Sequence, residues 1–130
     1  MIGIWSGHSS TFLIALAVIS ATLLSIPMFV APLRWARILG WKVPAETDLA
    51  VYFGRCLGGI AIVLSAVTLR AGMTGEGTVV VFELTLAIAV TLTVVHVWGA
   101  ILKIQPVSET LEIVMWASLA LLTLACWPAG

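Results

Sequence analysis

The chain has 130 residues, of which 62 % are hydrophobic and 9 % are charged, whereas an average soluble domain carries roughly 25 % charged residues. Six basic and six acidic residues give a formal net charge of zero, so the sequence offers no basic patch that could bind nucleic acid. A soluble domain of this length could not bury so much apolar surface, and the composition therefore indicates a small integral membrane protein.

Four long apolar runs follow one another along the chain, and the short segments between them hold most of the charged residues. The runs cover Thr11–Val30, Leu49–Leu69, Thr78–Leu102 and Leu111–Trp127. Because a helix rises about 1.5 Å per residue, ~20 residues cross a hydrocarbon core of roughly 30 Å. The sequence therefore predicts an all-α integral membrane four-helix bundle that forms one domain over residues 1–130.

The first run is too long for a secretory signal peptide. Thr11–Val30 carries no charge, and no Lys or Arg comes before Arg34, whereas a signal peptide has a basic segment ahead of a shorter apolar core. We therefore expect the first run to remain in the mature protein as a membrane helix.

A short amphipathic helix is expected between the first two spans. Pro32 suits a helix start and Gly40 a helix end. The residues between them place Trp35, Ile38 and Leu39 on one face and basic residues on another. This pattern is typical of a helix that lies in the membrane interface.

The second run carries a stripe of small residues at helical spacing. The stripe comprises Gly54, Gly58, Ala61 and Ser65. Membrane helices associate through such faces, because small side chains let two backbones approach closely. The stripe therefore predicts a packing face, which could contact another helix of the bundle or another subunit.

The distribution of basic residues predicts the orientation in the membrane. Five basic residues fall on the side of the bundle opposite the termini, and Arg70 alone falls on the other: Arg34, Arg37, Lys42, Arg55 and Lys103. Loops rich in Lys and Arg stay in the cytoplasm. Both termini are therefore expected outside.

Three polar residues lie within spans at a similar depth near the cytoplasmic side, namely Arg55, His96 and Glu112. Charged groups at membrane depth are costly and are often functional. An ion pair of Arg55 with Glu112 or Glu109, with His96 nearby, would be a structural cap that fixes the helix register. Alternatively, Arg55, His96 and Glu112 form a site for a quinone carbonyl or a lipid headgroup.

The sequence predicts no catalytic residue and no metal site. His8 and His96 fall on opposite sides of the membrane, which excludes a haem held by two histidines of one chain. The chain has no paired-cysteine redox motif, serine triad, zinc-ligand spacing or phosphate loop. We expect no cofactor of its own, with quinone or lipid as the possible ligands.

Three segments resemble the DoxX-like small four-helix membrane proteins. They are Phe53–Gly59 at the start of the second run, His96–Ala100 near the end of the third, and Gln105–Glu112 leading into the fourth. The resemblance implies a four-helix bundle in a bacterial inner membrane, where some members belong to quinone-linked or thiol-linked oxidoreductase assemblies. It implies no catalytic residue.

Three functions remain open from these observations. The first is a non-catalytic accessory subunit of a larger membrane complex, of an electron-transfer or photosynthetic kind, whose partners are lipids and other membrane subunits or further copies of this chain. The second is a DoxX-like quinone- or lipid-binding component of a membrane oxidoreductase. A small-molecule transporter ranks third, because the first run lacks the acidic residue that four-helix exporters place in mid-membrane.

Overall fold

The computed structural model describes residues 2–129, and within that range it contains helices and no strands. The helices are α1 (Ser6–Val30), α2 (Pro32–Ile38), α3 (Asp48–Thr74), α4 (Thr78–Leu102) and α5 (Val107–Ala125). All except α2 are long and apolar enough to cross a membrane. The predicted all-α architecture with four spans and a short helix between the first two is confirmed.

α1 and α3 pack against each other through the small-residue stripe of α3. A Cβ added at Gly58 would lie 2.5 Å from the backbone nitrogen of Phe29, and one added at Gly54 would lie 2.6 Å from Cβ of Pro32. Further along, the hydroxyls of Ser65 and Ser25 are 3.4 Å apart and both side chains are buried. The stripe thus brings the α3 backbone directly onto the end of α1 and the first residue of α2.

Pro27 explains how α2 is held against the end of α1. A proline inside a helix has no N–H, so it leaves the carbonyl four residues earlier without its helical partner. That carbonyl belongs to Leu23, and it accepts a hydrogen bond of 3.1 Å from the indole N–H of Trp35 in α2. The preceding turn, Ala21–Ser25, widens to a π-helix, as helices often do next to such a disruption.

The α1–α3 pair meets the α4–α5 pair at both ends of the bundle. At the terminal end, which carries both chain termini, an apolar cluster joins all four spans through Leu13, Ala71, Val81, Phe82 and Cys126. At the loop end, which carries α2 and the α4–α5 turn, the hydroxyl of Ser108 donates to the carbonyl of Leu39. The loop between α2 and α3 is thereby fixed to the first turn of α5.

Candidate functional site

A polar cluster lies between α4 and α5 at the loop end, and it consists of His96, Glu109 and Glu112. The two glutamates lie in the first two turns of α5, three residues apart, so their side chains share one helix face. α4 ends at Leu102, and the left-handed conformation of Lys103 (φ 55°) reverses the chain within a short turn. This tight reversal places His96 opposite the two carboxylates.

The imidazole of His96 contacts both carboxylates through the same nitrogen. Its Nε2 lies 3.1 Å from Oε2 of Glu109 and 3.4 Å from Oε2 of Glu112. Its other nitrogen, Nδ1, lies 2.7 Å from the carbonyl oxygen of Leu92. Because a carbonyl can only accept, Nδ1 carries a hydrogen and donates it there. Nε2 is therefore the nitrogen available to the two glutamates.

Two tryptophan indoles hold the carboxylates in place. Trp41, in the loop before α3, donates to Oε1 of Glu109 at 2.7 Å, and Trp116 donates to Oε2 of Glu112 at 3.2 Å. The side chains of His96, Glu109 and Glu112 are 10 %, 13 % and 24 % exposed. The cluster is therefore largely shielded, and each of its two carboxylates accepts a hydrogen bond from an uncharged indole N–H.

The α4–α5 turn is hydrogen-bonded to the backbone of His96. The amide of Gln105 donates to the carbonyl oxygen of His96 at 3.0 Å and to the hydroxyl of Thr110 at 3.2 Å. The Gln105 side chain runs so close to Gly99 that a Cβ at Gly99 would collide with it. Glycine at this position thus lets the turn pack against α4.

A groove of about 380 Å³ opens beside the cluster. Its walls are mostly apolar and include Trp41, Val95, Trp98 and Ile104, and it reaches His96 and Glu109. Trp98 and Ile104 are well exposed on the outer surface of the bundle. The groove gives a small ligand or water a route to the otherwise shielded cluster.

Arg55 lies apart from this cluster. Its side chain is exposed on α3 and lines a second groove of about 810 Å³ with Phe29, Tyr52, Gly59 and Val63. Among residues 2–129, the basic side chain that lies within 4 Å of Glu109 and of Glu112 is that of His96, and neither carboxylate lies within 4 Å of Arg55. The expected pairing of Arg55 with Glu112 or Glu109 is not formed in the structure.

Of the three residues predicted to share a site, the structure brings together His96 and Glu112 but not Arg55. Glu109, for which the sequence suggests only a pairing with Arg55, lies closer to His96 than Glu112 does. The sequence does contain a signal for the role of Glu109. Glu109 and Glu112 are three residues apart, so both lie on one face of the first turns of α5, opposite His96.

Neither of the two cysteines belongs to the polar cluster. Both are free thiols, with Cys56 exposed on α3 and Cys126 buried at the end of α5. Neither position therefore forms a redox pair within the chain.

Comparisons with known proteins give no relatives for this chain. No protein family matches it, and no curated protein or solved structure is similar to it. The resemblance to the DoxX-like proteins therefore remains a prediction from the three quoted segments.

Proposed function

We propose that the protein is an accessory subunit of a larger membrane complex, with no catalytic activity of its own, and that the Arg55 face of α3 binds the neighbouring subunit. The observation that carries this proposal is that the exposed side chain of Arg55 has no ion-pair partner among the described residues. This residue lies on a membrane-spanning helix, and none of the described carboxylates lies within 4 Å of it. Asp48 lines the same groove but lies beyond ion-pair distance of Arg55. Charged side chains inside membranes pair with other polar groups, so we take the close counter-charge to come from another molecule.

The surface around Arg55 suits a protein partner. The opposite face of α3 is occupied by α1, which leaves Tyr52, Ile60 and Val63 exposed alongside Arg55. Arginine and aromatic residues are enriched at protein interfaces. A neighbouring helix with a carboxylate at the matching depth would fill the groove and pair with the guanidinium group.

The charge distribution supports the orientation proposed with this function. α2 carries Arg34 and Arg37 at the loop end, and Lys42, Arg55 and Lys103 belong to the same end, whereas the basic residue of the terminal end is Arg70. By the positive-inside rule the loop end faces the cytoplasm. The location that goes with the proposal is a bacterial inner membrane with both termini outside, and the resemblance favours an oxidoreductase assembly.

Site-specific photo-cross-linking in native membranes tests this interface. A photoreactive amino acid replaces Ile60, which is 60 % exposed beside Arg55, or Leu121, which is 69 % exposed on α5 and serves as the matched control. We expect a defined protein adduct from position 60 and lipid adducts alone from position 121. Lipid adducts alone from both positions would contradict a subunit contact at this face.

Substituting Arg55 by Gln is expected to weaken the association with that partner by tenfold or more. A hydrogen bond to a charged group contributes about 1.5–3 kcal/mol, and about 1.4 kcal/mol corresponds to a factor of ten. The yield of the position-60 adduct measures the loss, with Arg55→Lys as the variant that keeps the charge and much of the yield. An unchanged adduct yield in Arg55→Gln would show that Arg55 does not contact the partner.

Binding of an anionic lipid or a quinone is the second candidate, and the form of the Arg55 groove favours it. Tyr52 and Arg55 belong to the loop-end part of α3, and Gly59 and Val63 line an apolar continuation of the groove towards mid-membrane. This arrangement matches an amphiphile with a phosphate or carbonyl head and an acyl or isoprenoid chain. Native mass spectrometry would then show a lipid or quinone adduct that Arg55→Gln loses, without any associated protein.

A further inference from the structure

The His96 cluster brings three hydrogen-bond acceptors together with no donor between them when the imidazole is neutral. The Nδ1 hydrogen is used by the Leu92 carbonyl, so the lone pair of Nε2 is aimed at the oxygens of Glu109 and Glu112. The His96 side chain is nine-tenths buried. A buried lone pair facing two carboxylates is strongly unfavourable, so either a proton or a metal ion must lie among the three groups.

Charge balance favours a divalent cation over a proton in that position. Among residues 2–129, no Lys or Arg lies within 4 Å of Glu109 or Glu112. A single proton on His96 contributes +1 against −2 from the two carboxylates and leaves −1 in a shielded site, so that protons alone neutralise it only if a second one binds. A divalent ion with neutral imidazole adds +2 to −2 and leaves the site neutral, which burial favours.

The geometry of the three groups fits a small first-row ion. One ligand atom from each residue can be chosen so that all three lie within 4.8 Å of one another, and Nε2 lies 3.1 and 3.4 Å from the nearest carboxylate oxygens. Zinc binds imidazole nitrogen and carboxylate oxygen at about 2.1 Å, which gives tetrahedral ligand–ligand separations of roughly 3.4 Å. The side chains therefore need little movement to ligate such an ion.

The surroundings also match those of metal ligands. A ligating histidine usually donates its second N–H to a backbone carbonyl or carboxylate, and ligating carboxylates are themselves hydrogen-bonded. Here the Leu92 carbonyl orients His96, and the indoles of Trp41 and Trp116 donate to the two glutamates. These contacts fix the imidazole tautomer and the carboxylate positions before any ion binds.

We infer that His96, Glu109 and Glu112 form a binding site for one divalent transition-metal ion, with zinc as the ion that suits the ligands best. Three protein ligands leave a fourth position for water or a small ligand, and the 380 Å³ groove that reaches His96 and Glu109 gives access to it. The inference goes beyond the accessory function and does not depend on Arg55, which lies in a separate groove.

Metal titration of the full chain tests the inference. The protein is purified in detergent without a polyhistidine tag, stripped with a chelator, and titrated with Co²⁺ and then with Zn²⁺. We expect one Co²⁺ per chain, with the visible absorption of a tetrahedral site, and its displacement by Zn²⁺. Binding well below one ion per chain, or a nitrogen NMR signature of a doubly protonated His96 at saturating Zn²⁺, would overturn the inference.

Variants assign the bound ion to the cluster. His96→Gln and Glu112→Gln are expected to lower the Zn²⁺ affinity by at least about 100-fold, and Trp116→Phe by about tenfold, because loss of a supporting contact typically costs 10–100-fold. His8→Gln and Glu83→Gln are the matched controls and should bind like the wild type. Wild-type affinity in His96→Gln, or lost binding in His8→Gln, would overturn the assignment. If His96→Gln fails to fold, the Zn²⁺ affinity of Trp116→Phe tests the assignment instead. A Zn²⁺ affinity of Trp116→Phe equal to that of the wild type would overturn the assignment.

Discussion

Substituting Gly58 by Ala is expected to lower the free energy of unfolding by about 1–3 kcal/mol, the usual cost of overpacking a close contact. The added Cβ would lie 2.5 Å from the nitrogen and 2.8 Å from the Cα of Phe29. Both atoms belong to the α1 backbone, so a side-chain rotation cannot relieve the clash and the two helices must separate. Denaturant-induced unfolding in mixed micelles measures the change.

Gly59 provides the control at the next residue. A Cβ there would meet ring atoms of Phe29 at 3.6 and 3.7 Å, which is ordinary van der Waals contact. Since alanine is favoured over glycine inside a helix by roughly 0.5–1 kcal/mol, Gly59→Ala should leave stability unchanged or raise it slightly. Equal stabilities of the Gly58 and Gly59 variants would show that α1 and α3 do not pack as described.

Substituting His96 by Leu is expected to cost about 3 kcal/mol of stability. The change removes the partner shared by Glu109 and Glu112 and leaves two carboxylates facing each other in a shielded site. Removing one member of a buried ion pair typically costs about 3–5 kcal/mol, and the partial exposure of Glu112 puts the expectation at the lower end. The same unfolding measurement in metal-free buffer gives the value.

Two further variants separate this effect from a loss of packing. Glu83→Gln removes an exposed carboxylate elsewhere on α4 and should change the stability by no more than about 0.5 kcal/mol. The double variant His96→Leu with Glu112→Leu removes the repulsion as well and should recover at least part of the loss. A double variant less stable than His96→Leu alone would mean that the like charges are not the cause.

The fold could be predicted from the sequence because bilayer thickness dictates the length of each apolar run. The α4 bounds, Thr78–Leu102, are those of the third apolar run. The other spans begin earlier than their runs, since polar residues such as Ser9 belong to the first helix, where the Ser9 hydroxyl lies within hydrogen-bond distance of the carbonyls of Ser6 and Cys126. Hydropathy therefore marks the hydrocarbon-spanning part of a helix and not its polar ends.

The candidate site could be predicted only in part, because the depth of a residue in the membrane does not determine which neighbouring helix its side chain faces. Arg55, His96 and Glu112 all lie towards the loop ends of their helices. Gly54 and Gly58, however, turn α3 towards α2 and α1, and Arg55 then lies in a separate groove. The hydrogen bond from Trp41 to Glu109 joins residues 68 positions apart. No local pattern encodes such a contact, which depends on how the loop before α3 is fixed to α5.

The central claim is that the chain works as part of a larger membrane complex. The most direct test is native purification of the wild-type chain in a mild detergent, followed by native mass spectrometry of the intact particle and identification of its polypeptides. We expect a particle that contains this chain in fixed stoichiometry with at least one different membrane polypeptide. A particle that contains copies of this chain alone, with or without bound lipid or quinone, would contradict it.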